Sequence, residues 1–295
     1  MLLGDGNRAA ARPPGAGNLL PEPERRVIII GMRVTGESRR PRALALIAAA
    51  LLLVNVGLSI VVVSQAVAPT APERPLDVVA IVLASAPADD VSASQFCTGV
   101  LVARNSVLTA GHCVAARDAS AINVILQADN LCSTAPINGE RVEVTVITPF
   151  SSGADAAILS ITPGAQPHIP VPLAVTTPSD DAVALTAWGW GSGSIGGAAP
   201  CGVTDKTLQT VPLPQCAREL RAETELRQGV AESTYFCALP APGSANTCLG
   251  DSGGPVFVEQ NGERRLAGIT LSGRGCGAAD PGLYLGVGGI RTALG

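Results

Sequence analysis

Histidine and lysine are nearly absent from this chain. Only His112 and His168 occur, and Lys206 is the one lysine among 20 lysines and arginines. No C-x-x-C pair is present, so a structural zinc site of the finger or ribbon type lacks a ligand set. The lysine scarcity reads as compositional bias toward arginine, since either residue carries the same charge. A formal net charge of −4 leaves no basic surface to expect a nucleic-acid partner from. Apolar residues at helical spacing are scarce too, and no internal repeat is visible, which argues against a helical or solenoid architecture.

Glycine and proline are plentiful instead, with 33 and 23 copies in 295 residues. They punctuate short β-branched runs: VVAIVLAS, TGVLVA, SVLTA, INVILQA, RVEVTVI, AAILSI, AVALTAW, GPVFVE, RRLAGITL and GLYLGV. Repeated short strands between turn residues predict a barrel or sandwich. Residues 215–228, QCARELRAETELRQ, are the best internal helix candidate, and residues 289–295 are too short to assign. The length allows one domain of up to about 250 residues plus a leader, or two small domains.

The N-terminal part divides by composition. Residues 1–42 are rich in Arg, Pro and Gly and are expected to be disordered. Residues 43–63 carry no charge and follow Arg39, Arg40 and Arg42. A run of about 20 apolar residues suffices for a membrane anchor. The Ala66-Val67-Ala68 exit makes residues 43–68 equally readable as a signal peptide. A chain begun at Met32 fits the signal reading better. Either way the segment engages the membrane or the export machinery, with residues 69–76 as linker and residues 77–295 as the exported domain. All 8 cysteines lie after the apolar run, as expected of disulfides made in an oxidising compartment. The domain is therefore expected outside the cytoplasm, secreted or anchored through residues 43–63.

Two motifs carry chemistry. One is Leu108-Thr109-Ala110-Gly111-His112-Cys113, and the other is Cys248-Leu249-Gly250-Asp251-Ser252-Gly253-Gly254-Pro255. A serine hydroxyl needs a base within hydrogen-bond reach to become a nucleophile. Histidine, with an unperturbed pKa of about 6.5, suits that task. The base is almost forced, because His168 sits in a proline-flanked loop. A carboxylate must then fix the imidazole, and Asp155 in GADAAIL leads directly into an apolar strand. Asp129, Asp180 and Asp181 stand in more loop-like contexts.

In these motifs and their order the chain resembles the trypsin-like, chymotrypsin-fold serine proteases, over roughly residues 77–292. The resemblance implies an all-β fold of two six-stranded antiparallel barrels. It also implies a serine endopeptidase with the triad His112, Asp155 and Ser252, and an oxyanion hole from the N–H groups of Gly250 and Ser252. A protein or peptide is the expected substrate, the expected state is a monomer, and no metal or cofactor is implied. Family pairing gives disulfides Cys97–Cys113, Cys216–Cys237 and Cys248–Cys276. Cys132 and Cys201 remain, in loops that neighbour each other in this fold.

The chain departs from the family at the substrate pocket and at activation. The pocket-floor position falls on Asn246, an uncharged amide, where trypsin-type enzymes place an aspartate. Gly273 and Gly282 fall on the two wall positions. Leu271 and Ser272 replace the family's serine and tryptophan beside the substrate backbone. Active members usually begin at Ile-Val-Gly-Gly, and that new amino group pairs with the aspartate before the nucleophile, here Asp251. No such tetrapeptide occurs in residues 69–95, where Leu76-Asp77-Val78-Val79 is the nearest stretch. Another cation for Asp251, a different regulation, or an inactive protease-fold binding protein are the three readings this leaves.

Overall fold

The chain divides into two units, Met1–Ala71 and Pro72–Gly295. A computed structural model describes residues 74–87, 91–132, 139–164, 171–179, 182–214, 234–273, 276 and 281–294, all within the second unit. The disordered and signal or anchor segments predicted over residues 1–68, and residues 69–73 of the predicted linker 69–76, lie outside the described residues, as do the helix candidate at 215–228 and His168. Among the described residues, no helix is long and apolar enough to cross a membrane.

Among the described residues, twelve antiparallel strands form two closed barrels. The first holds β1 (Val78–Leu83), β2 (Gln95–Ala103), β3 (Ser106–Thr109), β4 (Ile122–Leu126), β5 (Glu140–Pro149) and β6 (Ala157–Ile161). Its order is β1-β2-β3-β6-β5-β4, closed by the β1–β4 pairing. The second holds β7 (Ala184–Gly189), β8 (Thr204–Val211), β9 (Tyr235–Pro240), β10 (Pro255–Gln260), β11 (Glu263–Gly273) and β12 (Gly282–Gly286). Its order is β10-β11-β12-β9-β8-β7, closed by the β10–β7 pairing. Closure leaves no edge strand to manage. A helix, α1 (Val287–Leu294), follows β12. It occupies the tail that the sequence left unassigned, and it buries Val287 and Ile290.

Strand burial explains the sequence patterns. β1 reads VVAIVL without alternation because both its faces are covered. Val79 and Ile81 join a large apolar cluster with residues such as Leu108 and Leu159, whereas Ala80 and Val82 pack with Ile125, Leu131 and Trp190. All ten predicted strands are present. β8 and β9 are the two that the sequence reading missed. β8 alternates cleanly, with Lys206, Leu208 and Thr210 buried and Asp205, Thr207 and Gln209 exposed. A lysine and a threonine among its inward residues hid its period of two.

Asp77, just before β1, is 8% exposed, and its Oδ2 has no hydrogen-bond partner. Burial pushes its carboxyl above the usual range, against its own backbone N–H and the charge of Arg264. A raised folded-state pKa means stability is fully present below the unfolded value and falls as pH rises through the folded one. Asp77→Asn is therefore expected to raise the Tm at pH 7. Thermal melts from pH 7 to pH 3 should show that advantage shrinking with acidity, and an unchanged or lower Tm at pH 7 contradicts the account.

Candidate active site

His112 stands in a single 3-10 turn, Gly111–Cys113, directly after β3. Asp155 lies just ahead of β6, the strand that pairs with β3. This pairing brings the two together. His112 Nδ1 and Asp155 Oδ2 are 2.7 Å apart, and the backbone N–H of His112 donates to Asp155 Oδ1 at 2.7 Å. Burial pushes the Asp155 carboxyl up. The hydrogen bond and charge of the His112 ring and the N–H groups of His112 and Gly111 outweigh it, and the net pKa falls below 3.8. Asp155 thus stays a carboxylate through the neutral range. Of its sequence rivals, Asp129 pairs with Arg74 at 2.5 Å on the surface, and Asp180 and Asp181 lie outside the described residues.

Ser252 comes from the second barrel, on the turn before β10. Its Oγ donates to the Leu271 carbonyl at 3.3 Å. The turn is tied to the first barrel by Thr98 on β2, a residue the sequence reading missed. Thr98 N donates to the Ser252 carbonyl at 2.9 Å, and Thr98 Oγ1 donates to the Gly250 carbonyl at 2.7 Å. Gln95 Nε2 adds a bond to Gly250 O at 3.0 Å. Gly253 has φ +80°, and a Cβ there would meet Ala110 N at 2.7 Å. Only glycine fits at this position. Gly250 also takes positive φ, at +96°.

His112 and Ser252 share a cleft of about 440 Å³ with Thr247, Cys248, Leu249, Thr270, Leu271, Ser272, Ile195 and Cys276. Leu271 and Ser272, two of the expected substrate-binding residues, line this cleft. Asn246 and Gly282 are not among the described residues lining this cleft. Asn246 is fully buried, its Oδ1 accepting from Thr247 N at 2.9 Å. A Cβ at Gly282 would meet the Tyr284 hydroxyl at 2.5 Å. That hydroxyl lies 3.1 Å from Thr247 Oγ1, so glycine at 282 leaves room for Tyr284. Gly273 pairs with Gly282 across β11 and β12. Thr247 and Thr270 are lining residues the sequence did not single out.

The disulfides follow the expected pairing. Cys97–Cys113, Cys132–Cys201 and Cys248–Cys276 are formed, with Cα separations of 6.2, 5.0 and 4.7 Å. Cys237 is disulfide-bonded as well, and its expected partner Cys216 lies outside the described residues. The first staples the His112 turn to β2, and the third ties the Ser252 turn to the cleft wall.

Asp251 points away from the cleft. Its Oδ1 accepts from Gly191 N at 2.8 Å and its Oδ2 from Cys248 N at 2.8 Å. Lys206 Nζ donates to Oδ1 at 2.7 Å, and the two side chains are 3% and 1% exposed. Of the three readings left open by the sequence, another cation for Asp251 is the one present. The signal was available as the single lysine, at an inward position of a strand.

Paired antiparallel six-stranded barrels, with a His–Asp couple on one and a glycine-framed serine on the other, have the architecture of the chymotrypsin-fold serine proteases. The trypsin family matches residues 80–293, and the chain belongs to that family. It is similar to a trypsin of Saccharopolyspora erythraea, 30% identical over 68% of this chain and 86% of that protein. It is also similar to serine protease snk of Drosophila melanogaster, 33% identical over 64% of this chain but 46% of that one. Among solved structures it resembles the Vibrio cholerae proteases VesB and VesC. VesB gives TM-score 0.57 at 26% identity, over 74% of this chain and 63% of that one. VesC, described as secreted, gives TM-score 0.60 at 25% identity, over 76% and 46%. The chain thus spans most of the bacterial trypsin and less than two thirds of the other three.

Proposed function

We propose that this protein is an exported serine endopeptidase in which Ser252 is the nucleophile, His112 the base and Asp155 the orienting carboxylate. The observation that carries this reading is the two-point grip of Asp155 on His112 beside Ser252 in one cleft. Asp155 holds the proton on Nδ1, which leaves Nε2 to accept one. The Ser252 hydroxyl leaves the Leu271 carbonyl and gives its proton to Nε2 as Oγ bonds the scissile carbonyl carbon. The resulting oxyanion is met by the N–H groups of Gly250 and Ser252. His112 returns the proton to the departing amine, and water repeats the sequence to release the acid from the acyl-enzyme. Cysteine oxidation fits an oxidising compartment, and relatedness to a secreted protease agrees with export. Cleavage of the chain after Ala68 accounts for release, with residues 43–63 as the membrane-directed segment.

A fluorophosphonate probe and a peptide library test the reading together. The probe should label the wild type stoichiometrically and leave Ser252→Ala unlabelled. A folded wild-type enzyme that takes no label overturns the reading. Specificity is the second readout. None of the described cleft residues other than His112 carries an ionisable acid or base, and Asn246 supplies no carboxylate. Among the described residues, strict Arg or Lys selection then has no charge partner. Library products are expected to end mainly in neutral residues, and products ending mainly in Arg or Lys contradict this.

A further inference from the structure

We infer that Lys206 is a positioning residue that holds the oxyanion loop in its working form, so that catalysis does not depend on a chain terminus. The inference rests on the endopeptidase reading above and deepens it. Three observations carry it. Asp251 lies between Gly250 and Ser252, the two residues whose N–H groups are assigned to the oxyanion. Its carboxylate is turned inward and held by Gly191 N, Cys248 N and Lys206 Nζ. The site for it is shaped, since a Cβ at Gly189 or Gly191 would run into that carboxylate. A carboxylate 1% exposed needs a cationic partner to stay there ionised. Lys206 is that partner, delivered by β8 and braced by Thr204 Oγ1 at 2.9 Å.

The stretch nearest to an inserting terminus is committed elsewhere. Val78 N donates to Pro75 O, Leu101 N donates to Asp77 O, and Val78 opens β1. Asp77 is thus tied to β2, and Val78 and Val79 belong to the first barrel. The place by Asp251 that a terminal amino group fills in this family is taken by a side-chain ammonium. Removing it frees the carboxylate to seek water, and the turn that carries Gly250 and Ser252 goes with it. Loss of an oxyanion donor costs about 10²–10³ in kcat, and that sets the expected effect.

The test uses the full chain with Lys206→Met, alongside Lys206→Met/Asp251→Asn, which leaves no unpaired buried charge should the single variant fail to fold. Turnover of a chromogenic peptide is measured on the folded fraction, well below the Tm. Both variants are expected to lose at least a hundredfold in kcat, with a smaller change in KM and slower fluorophosphonate labelling. A role in stability alone lowers the Tm and leaves kcat within about threefold, which overturns the inference. In a second arm, four residues are appended ahead of whichever residue begins the purified active chain. Activity should stay within twofold, and a hundredfold loss assigns the partner of Asp251 to the terminus instead. A wild type without activity or labelling sinks the endopeptidase reading itself, and is thereby distinguished from failure of the Lys206 assignment.

Discussion

Ser252→Ala and His112→Ala are each expected to lower kcat by about 10⁶-fold, with the double variant no worse than either. The non-additivity is the informative part. Nucleophile and base act as one unit, so removing either one removes the shared step. The two changes should separate in stability. Ser252 Oγ makes a single bond of 3.3 Å to Leu271 O, so its loss should leave the Tm nearly unchanged. His112→Ala takes the ring donor from the partly buried Asp155, which keeps only backbone N–H partners, and the Tm should fall modestly. Peptide turnover and thermal melts on the three variants check both points. Substantial hydrolysis by Ser252→Ala places the nucleophile elsewhere.

Asp155→Asn is expected to lower kcat by about 10⁴-fold, because the amide accepts no Nδ1 proton and favours the wrong imidazole tautomer. Asp155 also leaves a mark on stability. Its folded pKa is depressed below 3.8, so its contribution is present above the unfolded pKa and lost as pH falls through the folded one. The stability gap between wild type and Asp155→Asn should hold from pH 7 to about pH 5 and close below pH 4, opposite in sense to Asp77→Asn. Urea melts across that range check it. Near-wild-type activity in Asp155→Asn means that another carboxylate serves His112.

How much of the fold could be read beforehand varied with the strand. Those in which both faces meet apolar neighbours, such as β1, announce themselves as continuous β-branched runs. β8 does not, because its inward residues include Lys206 and Thr210, whose polarity is answered only by partners from other elements. The family resemblance supplied the barrel count, and residue patterning alone stopped at a barrel or sandwich. Asp155 was legible by its place before an apolar strand. Its choice over Asp129 rests on the pairing of β3 with β6, which sets it against His112.

The sequence by itself determined the serine and histidine turns. Their chemistry needs neighbours adjacent in the chain: the glycines around Ser252, and the cysteine that anchors His112. It also determined that the cysteines are even in number and stand in family order. Tertiary structure decided what depends on residues far apart in the chain. Thr98 reaches Gly250 across the interface of the barrels, and Lys206 reaches Asp251 from β8. Both contacts follow from strand register, since a shift of one residue on β8 turns Lys206 to solvent and leaves Asp251 buried without a cation.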